Sequence, residues 1–169
     1  DSGKARDLMP WAGEFVGKYL ISGVQALRMS DDPKLQATLA DVVRRLCDLQ
    51  AEDGYLGPWP KAERLRGQWD LWGHCHIILG LRMWSEHTGD PRAAATVQKM
   101  ADLVCNTFLD TGLRVFDAGS HEMNMAIIHA LGELYRETAN ERYLRMAREV
   151  LKDFERAGDY SVAHFVRFR

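Results

Sequence analysis

The sequence predicts an all-α protein of stacked helical hairpins, a partial (α/α)6 toroid of three hairpins, or about half a barrel. Three observations carry that prediction. Apolar residues recur at helical spacing along most of the chain. A stop-and-restart signal occurs three times, at Asp32-Pro33, Asp90-Pro91 and Asn140-Glu141, at offsets of 58 and 50 residues. Each signal follows a more apolar helix and precedes an amphipathic one, so the repeating unit is a helix pair that buries its face on the next. Finally, polar-aromatic segments open the first helix of each pair, which would gather them at one end of the stack.

The elements follow in order. Met9-Pro10-Trp11-Ala-Gly-Glu14 reads as an entry turn, because Pro10 fixes φ. A helix is expected from about Glu14 to Met29, with Phe15, Tyr19, Ser22, Gly23, Ala26 and Leu27 as its inward stripe. Gly17, Ser22 and Gly23 suggest close approach by neighbouring helices. Asp32 as N-cap and Pro33 at the first helical position start the next helix, to about Ala51. Its stripe is Leu35, Leu39, Val42, Val43, Leu46 and Leu49.

Residues 52–60 form a loop by composition, with Asp53-Gly54 and Pro58-Trp59-Pro60 as breakers, and Tyr55 packing it down. Trp69-Asp-Leu-Trp-Gly-His-Cys-His76 then opens a helix to about His87, with Asp70 expected as its N-cap. The following helix spans about Pro91 to Phe108, with Ala94, Val97, Met100, Ala101 and Val104 facing in. A linker to Ser120 includes an extended piece, Leu113–Phe116. A helix opened by Gly119-Ser-His-Glu-Met-Asn124 continues to about Glu137, and the last helix covers about Arg142 to Glu155 with a solvated basic face. The toroid-like region is placed at 1–157 and an irregular tail at 158–169.

Composition excludes several classes. Net charge is −2 over 169 residues, which gives no electrostatic footprint for nucleic acid. No apolar run reaches the roughly 18 residues of a membrane span, and the first residues lack the apolar core of a signal peptide. A cleaved signal would leave no trace, so the compartment stays open. Cys47, Cys75 and Cys105 are odd in number and widely spaced, which argues against a disulfide framework or a C-x-x-C metal site; Cys47 and Cys105 are expected as small buried hydrophobes.

Three segments resemble a known family: Trp11-Ala-Gly-Glu-Phe-Val-Gly-Lys-Tyr-Leu20; Gln50-Ala-Glu-Asp-Gly-Tyr-Leu-Gly57 followed by Trp72-Gly-His-Cys-His-Ile-Ile-Leu-Gly-Leu81; and His121-Glu-Met-Asn124 with Leu131-Gly-Glu-Leu-Tyr-Arg-Glu-Thr138. In order and spacing they are similar to the N-terminal part of the catalytic toroid of the β-L-arabinofuranosidase family of glycoside hydrolases, family 127. The resemblance implies an (α/α)6 barrel with a sugar pocket at its mouth. It implies a cysteine nucleophile, a partner glutamate and a zinc site farther along the toroid than this chain reaches. Cys75 is therefore not promoted to nucleophile, the catalytic residues are unassigned with Glu122 as a weak candidate, and zinc is expected only in a full-length parent. The expected partners are a carbohydrate and either the remainder of the toroid or a second copy of the chain, because half a toroid exposes interior surface.

The candidate substrate-binding residues are Glu14, Trp72, His74, His76, His121, Glu122 and Asn124. The resemblance implies that His76 stands at the place of the family's substrate-side histidine. His74 lies two positions away, which on a helix puts the pair on different faces and argues against a two-histidine metal site. Either histidine could instead be a satisfied core or capping residue. Trp72 or Trp69 is suited to stack on a sugar ring or to fill the core under the Pro58–Pro60 loop. Glu122 fits acid/base work or plain favour at a helix N-terminus. Glu14 and Lys18 fit a pocket wall or a local i, i+4 pair. Two other readings suit the same architecture: another toroid enzyme, such as an unsaturated glucuronyl hydrolase or polysaccharide lyase, and a non-catalytic helical-repeat binding module. The lips are poor in Arg and Lys, which counts against the uronate enzymes.

Overall fold

The computed structural model describes residues 9–155, which form helices joined by loops, with no strand among them. The tail from residue 158 lies outside the described residues. The helices are α1 (Ala12–Ser30), α2 (Pro33–Leu49), α3 (Asp70–Thr88), α4 (Pro91–Phe108), α5 (His121–Asn124), α6 (Ile127–Thr138) and α7 (Glu141–Glu155), with a 3-10 turn at Val115–Asp117 before α5.

Three hairpins result: α1 with α2, α3 with α4, and α6 with α7. The first helices form one layer in the order α1, α3, α6, and the second helices form another in the order α2, α4, α7. This is the expected arc of an α/α toroid. The repeat extends to individual bonds. Asp31, Gly89 and Ala139 all take left-handed backbone, with φ of 50°, 74° and 53°. Each closes its helix by donating N–H to a carbonyl four residues back, Leu27, Ser85 and Tyr135. Thr88 and Thr138 hydroxyls donate to the Trp84 and Leu134 carbonyls at 2.8 and 2.7 Å, and each hydroxyl accepts the N–H two residues on. Asp32, Asp90 and Asn140 then cap the next helix by accepting the N–H of Lys34, Arg92 and Arg142. Arg92 reaches back to Asp48 of the preceding outer helix, and Arg142 likewise to Asp102.

The tightest joint is α1 against α3. A Cβ on Gly13 would lie 3.0 Å from the Gly73 Cα, and one on Gly17 only 2.3 Å from the His76 carbonyl carbon. A Cβ on Gly80 would meet the Leu20 Cβ at 2.8 Å. These contacts climb both helices together, so α1 and α3 run parallel and their N-termini share one end.

That seam corrects the expected inward stripe of α1. The buried residues are Gly13, Gly17, Leu20, Gly23, Val24 and Leu27, whereas Phe15 and Tyr19 are 64% and 46% exposed and Ser22 and Ala26 lie open. The glycine face wins because only it lets two backbones touch. On α2, Leu39, Val43 and Leu46 are buried as expected, but Leu49 is 72% exposed. The Leu113–Phe116 piece is extended only at its start and then coils into the 3-10 turn. The third inner helix is broken at Met125-Ala126 rather than continuous. There the Ala126 carbonyl accepts the Cys75 thiol at 3.2 Å and Asn124 turns to α3, so this backbone serves the neighbouring helix. Cys105 is buried, Cys47 is half-buried, and both are free thiols.

A Gly17→Ala substitution should destabilise the protein by about 1–3 kcal/mol through overpacking of the α1–α3 joint. Gly132→Ala, on α6 with nothing within 4 Å of its added Cβ, should instead stabilise by about 0.5–1 kcal/mol. Urea unfolding of the two variants checks both; equal effects would show that the seam is not tight.

Candidate functional site

The parallel α1 and α3 bring their first turns side by side. Glu14 and Lys18 stand one turn apart on α1, and Trp72 and His76 one turn apart on α3. Lys18 Nζ is 2.5 Å from Glu14 Oε1 and 5.5 Å from the centre of the Trp72 ring. The Trp72 and His76 rings meet edge to face, with centroids 4.3 Å apart. His76 Nδ1 lies 2.9 Å from the Trp72 carbonyl oxygen. A carbonyl only accepts, so the neutral ring carries its proton on Nδ1 and keeps Nε2 as an acceptor.

The charges here are coupled. The Lys18 ammonium holds the Glu14 carboxyl below the usual carboxylate range, with the Trp72 indole and His76 adding to it against partial burial. Burial pushes His76 below the ordinary histidine value; its bond to the Trp72 carbonyl and the Glu14 charge oppose this, while Lys18 and His129 reinforce it. The resting wall therefore holds a carboxylate, a neutral imidazole and an ammonium beside an aromatic ring.

The opposite side of α3 is a closed polar cluster. His74 is 1% exposed, with Nδ1 3.3 Å from the Asp70 carbonyl oxygen and 3.6 Å from Asp70 Oδ1. Asp70 is not the N-cap: Trp69 holds that position at φ 62°, and Asp70 begins the helix. Its carboxylate instead accepts the Tyr55 hydroxyl at 3.0 Å and the Leu65 N–H at 2.6 Å. The Tyr55 hydroxyl accepts the Trp59 N–H at 2.9 Å, and the Arg64 guanidinium lies 4.5 Å over the Tyr55 ring while pairing with Asp53. Burial, with the Asp70 charge second, drives the Tyr55 phenol far above its ordinary value, so it stays a donor. One carboxylate thus ties the 50–69 loop to the α3 N-terminus.

The third lip divides. Asn124 is fully buried; its Oδ1 accepts the Trp72 N–H at 3.2 Å and its Nδ2 donates to the Gly119 carbonyl. Glu122 is exposed on α5. His121 begins α5, and its side chain lies outside the described residues. Burial raises the thiols of Cys75 and Cys105 to about 11, so neither is a ready thiolate. Among the described residues no three His, Cys, Asp or Glu side chains are grouped to hold a metal ion, so the residues here do not fit a zinc site.

Comparison with known proteins decides the family. Residues 3–160 match the catalytic domain of the GH127 β-L-arabinofuranosidases. The chain belongs to this family. It is 27% identical over 147 residues to a non-reducing end β-L-arabinofuranosidase of Bifidobacterium longum subsp. longum, covering 80% of this chain and 22% of that protein. It superposes on a GH127 β-L-arabinofuranosidase of Geobacillus stearothermophilus T6 with a TM-score of 0.75 and 25% identity, over 94% of this chain and 25% of that one. A second GH127 β-arabinofuranosidase shares the fold at a TM-score of 0.75 and 22% identity, over 97% of this chain and 28% of that one. The chain thus spans about a quarter of the length of these relatives.

Within this GH127 chain, the structure gathers Glu14, Trp72 and His76 on one face. It sets His74 in the Tyr55–Asp70 cluster and Asn124 beneath the first turn of α3. The sequence reading missed Asp70 as the hub of the loop, and it missed His129 of α6, whose charge reaches His76. Neither carries a local signal: Tyr55 and Asp70 are 15 residues apart and meet only through the loop.

Tyr55→Phe should cost about 1–2 kcal/mol, since it leaves the Trp59 N–H unpaired, and Asp70→Ala about 2–4 kcal/mol, since two buried donors lose their acceptor. A double-mutant cycle by urea unfolding should show strong non-additivity; additive losses would mean that the two residues are not one latch.

The depressed His76 value carries a sign. Below about pH 6.5 the unfolded chain takes up a proton that the folded protein resists, so stability falls as pH drops. His76→Gln should flatten that part of the stability curve between about pH 7.5 and 5. An unchanged slope in urea titrations across this range would remove His76 as its source.

Proposed function

We propose that this chain supplies one wall of the sugar pocket in a glycoside hydrolase acting on β-L-arabinofuranosides. The observation that carries this reading is the face formed by Glu14, Trp72 and His76. An aromatic ring, a carboxylate and the free Nε2 of a neutral imidazole suit a sugar, which offers apolar ring faces and several O–H donors. Family membership supports the same reading, as does the name borne by each relative described above.

Hydrolysis with retention needs a nucleophile and an acid/base group. The buried thiols and exposed Glu122 of this chain do not form such a pair, so the nucleophile and any zinc belong to the rest of the enzyme. The complete pocket needs the remaining hairpins of the toroid. The apolar row Trp11, Phe15 and Tyr19, 42%, 64% and 46% exposed along the free edge of α1, is where they would close the ring.

The test is sugar binding by the protein, followed by calorimetry and by the shift in melting temperature. L-arabinose should bind and raise the melting temperature. His76→Ala and Trp72→Ala should each weaken it about tenfold, the loss of one good hydrogen bond or ring contact. Stabilisation by uronic acids alone would overturn the arabinofuranoside reading in favour of a uronate-processing toroid enzyme.

A further inference from the structure

We propose that Lys18 is a positioning residue of this wall: its ammonium, seated between the Glu14 carboxylate and the Trp72 ring, holds both against His76 so that the wall meets a neutral sugar with acceptors and an aromatic face. The inference rests on the sugar-wall reading above and assigns a role to a residue outside the face described there.

The geometry carries the argument. Lys18 lies one helical turn after Glu14, and its Nζ is 2.5 Å from Glu14 Oε1. The same ammonium is 5.5 Å from the centre of the Trp72 ring on the neighbouring helix, which is within cation–π range. That ring meets His76 edge to face at 4.3 Å. One cation therefore links two helices at the point where the glycine seam brings them together. Because Gly17 packs its backbone on His76, the adjacent residue Lys18 has a fixed starting point.

The charged groups around His76 pull in two directions: Glu14 favours the imidazolium, whereas Lys18 and His129 disfavour it. From α1 come Glu14 and Lys18, and from α6 comes His129. Lys18 works on both titrating groups of the wall: it lowers Glu14, as the largest cause, and it lowers His76, after burial. A positive charge at this point favours the carboxylate and disfavours the imidazolium. Both groups are then acceptors, matched to sugar hydroxyls that donate. With its charge spent on Glu14, Lys18 is not a free cation for a uronate.

The experiment compares the wild-type protein with Lys18→Met, which keeps the apolar stem, and Lys18→Arg, which keeps the charge. NMR titration follows the Glu14 carboxyl and the His76 imidazole, and L-arabinose binding is measured across the same pH range. In Lys18→Met both titrations should move upward. The acid limb of sugar binding should move with them, and affinity should drop about fivefold near neutral pH, the size expected for a partly exposed charge interaction. Lys18→Arg should restore both titrations. Unmoved titrations in Lys18→Met overturn the role of Lys18 whether or not sugar binds. Titrations that move while the wild-type protein binds no sugar at any pH support the electrostatic role and count instead against the sugar-wall reading. A melting temperature that drops equally in Lys18→Met and Lys18→Arg, with titrations unmoved, would reduce Lys18 to a packing residue.

Discussion

The contact between the α1 and α3 backbones is the constraint on which the rest depends. Two helices with ordinary side chains pack with axes about 8–10 Å apart. The glycines at 13, 17, 73 and 80 remove the side chains that would keep these two at the usual distance. Once backbones touch, sliding and rotation are both blocked, because each glycine fits against one particular neighbour. The parallel orientation follows, and with it the shared end at which Glu14, Lys18, Trp72 and His76 meet. The exposure of Phe15 and Tyr19 also follows, since the side of α1 turned toward α3 is fixed by its glycines and not by its largest apolar residues.

The α3 N-terminus serves two purposes on two faces. Residues two apart on a helix point about 200° from one another, so His74 and His76 separate as soon as the helix forms. One side becomes a latch, in which Asp70 gathers the Tyr55 hydroxyl and the Leu65 amide and closes the 50–69 loop. The other side becomes the open face with Trp72 and His76. Tyr55, Leu65 and Asp70 at the heart of the latch are buried, which suits a rigid support. The open face holds Trp72 and His76 half-buried, with the imidazole Nε2 left as an acceptor. A site on a rigid helix end backed by a closed polar cluster is held more precisely than one on a free loop.

The hairpin repeat explains how a short unit builds this frame. The left-handed closing residue, the Thr hydroxyl bridge and the Asx cap recur in register through the second and third hairpins. The second and third restarts redirect the chain into an outer helix whose arginine reaches back to the previous outer helix. The closing residue, hydroxyl bridge and cap are local, so the second and third hairpins make the same turn. The row Trp11, Phe15 and Tyr19 stays exposed on the side of α1 turned away from the glycine seam.

The sequence by itself determined the helices, the three restarts, the hairpin repeat and the family. All of these rest on interactions within a few residues, or on patterns that such interactions impose, and so they are written in consecutive letters. It also named Glu14, Trp72 and His76 among its candidate substrate-binding residues, at the openings of two different helices. Only the tertiary structure decided which face of α1 is buried, that Asp70 is a hub and not a cap, that the third inner helix breaks at Met125-Ala126, and that Lys18 bridges two helices. Each of these depends on a partner brought close by packing. Tyr55 and Asp70, Lys18 and Trp72, and Asn124 and the Trp72 amide are paired across 15, 54 and 52 residues. Periodicity shows that a face exists, but contact geometry chooses between a glycine face and an aromatic one, because the closest approach of two backbones is set by the smallest side chains between them.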